Sequence, residues 1–103
     1  MERIEKLKEF LVASPKDNFV QHALALEYLK IGEPQKARLL FEEILGRDPA
    51  YIGTYYHLAR LLENEGEREL AVHWYQKGME QARRAGDNHA FNELQAAYED
   101  LVD

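Results

Sequence analysis

The sequence predicts an all-α protein of about six helices, arranged as a stack of antiparallel helix pairs, on three observations. Apolar residues recur at mixed i+3 and i+4 spacings, the period of a helix face rather than of a strand. The chain matches itself at an offset of 34 residues: Leu24-Ala25 falls on Leu58-Ala59, Gly32 on Gly66, Ala37 on Ala71, Phe41 on Tyr75 and Leu45 on Met79. Only 6 glycines and 3 prolines occur among 103 residues, few for the many turns of an all-β chain.

Each period reads as helix, short turn, helix. Residues 18–31 carry Phe19, Ala23, Leu24, Leu26, Tyr28, Leu29 and Ile31, a broad apolar face. Gly32 ends that helix as a left-handed C-terminal residue does, and Pro34 opens the next, where a missing N–H costs little. The second helix presents Ala37, Leu40, Phe41, Ile44 and Leu45 and stops before Asp48-Pro49. Residues 52–65 repeat the first type with Tyr55, Leu58, Ala59 and Leu62, and Gly66 marks the turn again. Residues 68–85 repeat the second type with Leu70, Ala71, Trp74, Tyr75 and Met79. Ala25, Ala59, Ala37 and Ala71 are small where paired helices approach most closely, with large neighbours filling the flanking holes. A helix pair of this kind cannot bury both faces alone and has to stack on a neighbour.

Composition narrows the chemistry. Thirteen Lys+Arg against nineteen Asp+Glu give a formal charge of −6, the wrong sign for a nucleic-acid surface. The chain has no cysteine, which removes disulfides, thiolate zinc sites and a thiol nucleophile. No apolar run reaches the roughly 20 residues of a membrane span. The start, Met1-Glu2-Arg3-Ile4-Glu5-Lys6, is charged and unlike a secretory signal. The expectation is a cytoplasmic protein with no membrane or nucleic-acid partner.

These residues resemble the tetratricopeptide repeat, a helix-turn-helix unit of about 34 residues. Repeat one, residues 18–51, supplies Leu24, Ala25, Tyr28, Gly32, Ala37, Phe41 and Pro49 to the family pattern. It departs at Gln21, where a large residue is usual, and at Ile44, where a small one is. Repeat two, residues 52–85, supplies Tyr55, Leu58, Ala59, Gly66, Ala71, Tyr75 and Gly78, with Leu62 replacing an aromatic. Arg83 stands where the terminal proline is expected, so that helix is expected to run on. Pro15 matches Pro49, which makes residues 1–15 a lone leading helix with Leu7, Phe10 and Leu11 at core positions. Residues 87–102 become a capping helix through Phe91, Leu94 and Tyr98, entered by a slightly lengthened connection with Asp87 as N-cap. The resemblance implies one domain over residues 1–103 and a right-handed superhelical stack.

It also implies which side chains face a concave groove: Phe19, His22, Leu26, Leu29 and Lys30, then Gly53, Tyr56, Arg60, Glu63 and Asn64, then His89, Asn92, Ala96, Glu99 and Asp100. Tyr56 and Arg60, four apart, share a helix face and are the residue types that dominate binding hot spots. The carboxylate clamp of some relatives, built on Lys and Asn of the first helix, is replaced here by His22 and Leu26. No HExxH, no Gly-rich phosphate loop and no i, i+4 histidine pair occurs. The single serine, Ser14, precedes a proline in a turn. The expected function is therefore a non-catalytic scaffold, without cofactor or metal, that binds a peptide or protein segment. The alternative is a homodimer or larger self-assembly through an open repeat edge.

Overall fold

The computed structural model describes residues 2–103 and contains six α-helices: α1 Glu2–Ala13, α2 Asn18–Lys30, α3 Pro34–Arg47, α4 Gly53–Asn64, α5 Arg68–Ala85 and α6 Asn88–Val102. Among the described residues there is no strand. The helices fall into two compact units, Met1–Asp48 and Pro49–Asp103. In the first, α2 packs against α1 and α3. In the second, α5 packs against α4 and α6.

Three turns share one construction. Gly32, Gly66 and Gly86 adopt φ of 75°, 80° and 70°, the left-handed region that a Cβ disfavours. After Gly32, the Glu33 N–H donates to Tyr28 O at 2.9 Å while the Gly32 N–H donates to Leu29 O at 3.2 Å. Glu67 and Gly66 repeat this on Leu62 and Glu63, as do Asp87 and Gly86 on Ala82 and Arg83. Each is a paired closure of orphan helix carbonyls, and the residue after each glycine is the N-cap of the next helix. Pro34 occupies the first turn of α3. The α2 and α6 N-termini are capped by Asp17 and Asp87, whose carboxylates accept from Val20 N and Ala90 N, each at 3.0 Å.

Leu24, Ala25, Tyr28, Ala37, Phe41, Ile44 and Leu45 are buried in the first unit. Tyr55, Leu58, Ala59, Leu62, Ala71, Tyr75, Ala82 and Leu94 are buried in the second. Phe91 and Tyr98 are only half-buried, and Pro49 is exposed.

The leading helix departs from expectation. Ile4 and Leu7 are its buried residues, Leu11 is half-buried, and Phe10 is 64% exposed rather than in the core. Residues 4, 7 and 11 form the covered stripe of α1, whose packing partner is α2, and Phe10 beside that stripe is left exposed. The α5 helix runs to Ala85, past Arg83, as the missing proline allows.

Candidate functional site

The connectors before α2 and α4 are tied by equivalent bonds. The Tyr55 hydroxyl donates to Pro49 O, and 34 residues earlier Gln21 Nε2 donates to Pro15 O at 3.1 Å. Gln21 is thus a buried polar substitute for the usual large residue at this position, 4% exposed. Its remaining capacity is spent on Glu43, at 3.3 Å, and on Arg47, whose Nη2 donates to Gln21 Oε1 at 2.7 Å. Arg47 also donates to Asn18, and Asn18 to Asp48 at 3.2 Å. Sequence reasoning missed this network. Its signal was a polar residue at an apolar position, with Asn18 and Arg47 within one helix turn of the repeat's two ends. At α6 the equivalent residue is Phe91, with no donor, and Arg83 lies over its ring at 5.0 Å instead.

On α2, the predicted groove residues form an apolar strip with a charged end. Phe19 is 75% exposed, while Leu26 and Leu29 are half-buried. The leading helix therefore leaves Phe19 open to solvent. The half-buried His22 ring lies 5.5 Å from that of Phe41, tilted by 53°. Lys30 Nζ and Arg3 Nε both reach Glu27 Oε2, at 2.9 and 3.3 Å. The Lys30 hydrogen bond, opposed by partial desolvation and helped by the Lys30 and Arg3 charges, holds the Glu27 carboxyl below its usual range.

On α4, the Arg60 guanidinium lies 6.0 Å from the Tyr56 ring centre, and Arg60 is exposed. The Tyr56 ring meets Tyr75 edge-on at 6.5 Å and His57 at 5.8 Å. Glu63 accepts a 2.9 Å hydrogen bond from the Tyr75 hydroxyl. Tyr56, Arg60 and Glu63 are thus brought together around Tyr75, with Glu63 spoken for. Burial, then the Glu63 bond and charge, push the Tyr75 hydroxyl above its usual range. Asn92 and Gly53 are exposed on α6 and α4. The arrangement gathers two tyrosine rings, a guanidinium and a carboxylate on adjoining faces of α4 and α5.

His57 is held below its usual pKa by burial, with the Glu93 carboxylate partly offsetting that. Because the folded state prefers neutral imidazole, its contribution is complete above about pH 6.5 and is lost as pH falls through the lowered value. Ring-proton NMR titration should therefore place the His57 midpoint below the ordinary imidazole value of about 6.5, and His57→Gln should flatten the acid limb of the denaturation midpoint. A His57 midpoint at or above that ordinary value contradicts the assignment.

The comparisons agree with the geometry. The tetratricopeptide repeat model matches residues 20–51 and 52–84, more than half of the chain, and the chain belongs to that family. A tetratricopeptide repeat domain protein from Salinibacter ruber, solved in solution, is 41% identical with a TM-score of 0.82, covering 85% of this chain and 89% of that one. Its crystal structure gives 41% identity and a TM-score of 0.79 over 82% and 94% of the two chains. A Bordetella parapertussis protein shares the fold at 23% identity and a TM-score of 0.82, covering 95% of this chain and 85% of that one. None of the curated proteins matches. Among the described residues no group of His, Asp and Glu could hold a metal ion, and no helix is long and apolar enough to cross a membrane.

Proposed function

We propose that this protein is a non-catalytic scaffold that binds a peptide or protein segment along the groove faces of its first-in-pair helices. Membership of a family whose fold is generally a protein–protein interaction module supports the class of function. The observation that carries the reading is the Tyr56–Arg60 pair. Its guanidinium is exposed, and its aromatic ring is already fixed against Tyr75, so little side-chain entropy is lost when a ligand stacks on it. Phe19, with the half-buried Leu26 and Leu29, adds apolar contact area on α2. Lys30 at that strip's end would supply a polar contact on α2, and exposed Asn92 one on α6.

Peptides selected by display against the wild-type chain provide the probe. Tyr56→Ala with Arg60→Ala is expected to keep the helical circular dichroism and to weaken those peptides by about 100-fold or more, as loss of two hot-spot residues implies. Wild-type affinity in a folded double variant would remove the groove reading. A second reading, self-association, is favoured by one observation: the outward Phe10 on α1.

A further inference from the structure

The outer face of α1 carries charges of both signs around an exposed aromatic residue. Glu2, Arg3, Lys6 and Phe10 line one shallow depression on this helix, and Lys6, Glu9, Phe10 and Ala13 line the next. Phe10 stands 34 residues before Ile44, which is fully buried against the first unit's core. The position that packs a helix in α3 is therefore bare in α1. Arg3, Lys6, Phe10 and Ala13 recur at spacings of three, four and three, the rhythm of a helix–helix seam. Glu9 borders that seam one turn from Lys6.

We infer that this face pairs with the same face of a second copy, antiparallel and about a two-fold axis. The argument is charge complementarity. A two-fold axis midway between residues 7 and 8 places Lys6 at the level of Glu9 of the second copy, and Glu9 at the level of its Lys6. The same axis brings Phe10 within about one helix turn of Arg3 of the second copy, where the largely exposed arginine stem can lie along the ring while its Nε keeps the 3.3 Å contact with Glu27. Every attractive pair is formed twice, as an isologous interface requires. A parallel arrangement in register would set Lys6 beside Lys6 and Glu9 beside Glu9. The existing Lys6–Glu2 contact, 3.6 Å between side chains 69% and 86% exposed, is weak enough to exchange. A twelve-residue helix is only about 18 Å long, and its face buries less than the roughly 800 Å² per partner of a standard interface. The pairing is therefore a weak one, seen at high protein concentration and diminished by salt.

This inference rests on the self-association reading, and sedimentation equilibrium of the full chain separates the two. Wild type should associate reversibly in the upper micromolar range, more weakly at high salt. Lys6→Glu and Glu9→Lys should each sediment as monomers, because each turns both ion pairs into like-charge pairs. Mixed one to one, the two variants should associate again, since glutamates then face lysines at both levels. The substitutions lie on an exposed helix face between good helix formers, and circular dichroism checks that α1 persists. Wild type that stays monomeric overturns both the pairing and the self-association reading. Association that survives in either single variant, or fails to return in the mixture, overturns this pairing and leaves self-association to another surface.

Discussion

Gly78→Val should strongly destabilise the second unit. A Cβ at this position would sit 2.7 Å from Tyr55 Cβ and 3.0 Å from Leu94 Cδ1. The first of these is anchored to the α4 backbone, so no rotamer change relieves it, and α4 and α5 must separate. Overpacking of this kind costs about 1–3 kcal/mol for the first extra carbon, less up to about 1 kcal/mol returned because glycine is a poor helix former. Valine adds two further methyls to the same gap. Against a total stability of about 5–15 kcal/mol, Gly78→Ala should lower the melting temperature by several degrees, and Gly78→Val should leave the second unit partly unfolded. Trp74 is the only tryptophan and lies 6.0 Å from Tyr55, so its fluorescence reports on this contact. An unshifted denaturation midpoint for Gly78→Ala would contradict the close approach of α4 and α5 at this position.

Tyr75→Ala is expected to cost about 3–5 kcal/mol, the range for deleting a large buried aromatic. The ring is fully buried, Tyr56 rests on it, and its hydroxyl holds Glu63. Tyr75→Phe separates these roles. It keeps the ring and removes the bond, at about 1 kcal/mol. The two variants should also differ from wild type in alkali. Because the folded state raises the Tyr75 pKa, its neutral-form stabilisation is complete below about pH 10 and is lost as pH climbs beyond that. Denaturant midpoints from pH 8 upward should fall more steeply for wild type than for Tyr75→Phe. Equal slopes would refute the burial assigned to this hydroxyl. The groove variants connect here, since Tyr56 is positioned by Tyr75 and a damaged ring should weaken ligand binding as well as folding.

The repeat itself was legible because its key residues answer to local physics. A glycine that must turn left-handed, a proline that must start a helix and an alanine where helices touch announce themselves without a three-dimensional context. The closeness of Tyr56 and Arg60 was legible for the same reason, as spacing on one helix face. The hydrogen bond that Glu63 accepts from Tyr75 bridges two helices and leaves no mark in sequence. Gln21 was harder still. Read as a departure, it turned out to perform the carbonyl tie that Tyr55 performs, by a different donor.

Phe10 fell on the other side of the boundary. The offset of 34 put it beside Ile44, and an apolar residue at a packing position is expected to be buried. Whether it is buried depends on a helix being present to cover it, and no local propensity encodes that. The sequence by itself therefore determined the helices, their turns and their pairing, since each follows from backbone geometry and apolar period. The tertiary structure decided which of the matching positions are covered, which polar groups found partners and which aromatic ring was left facing solvent. Those outcomes depend on what each face meets across space, and periodicity is blind to that.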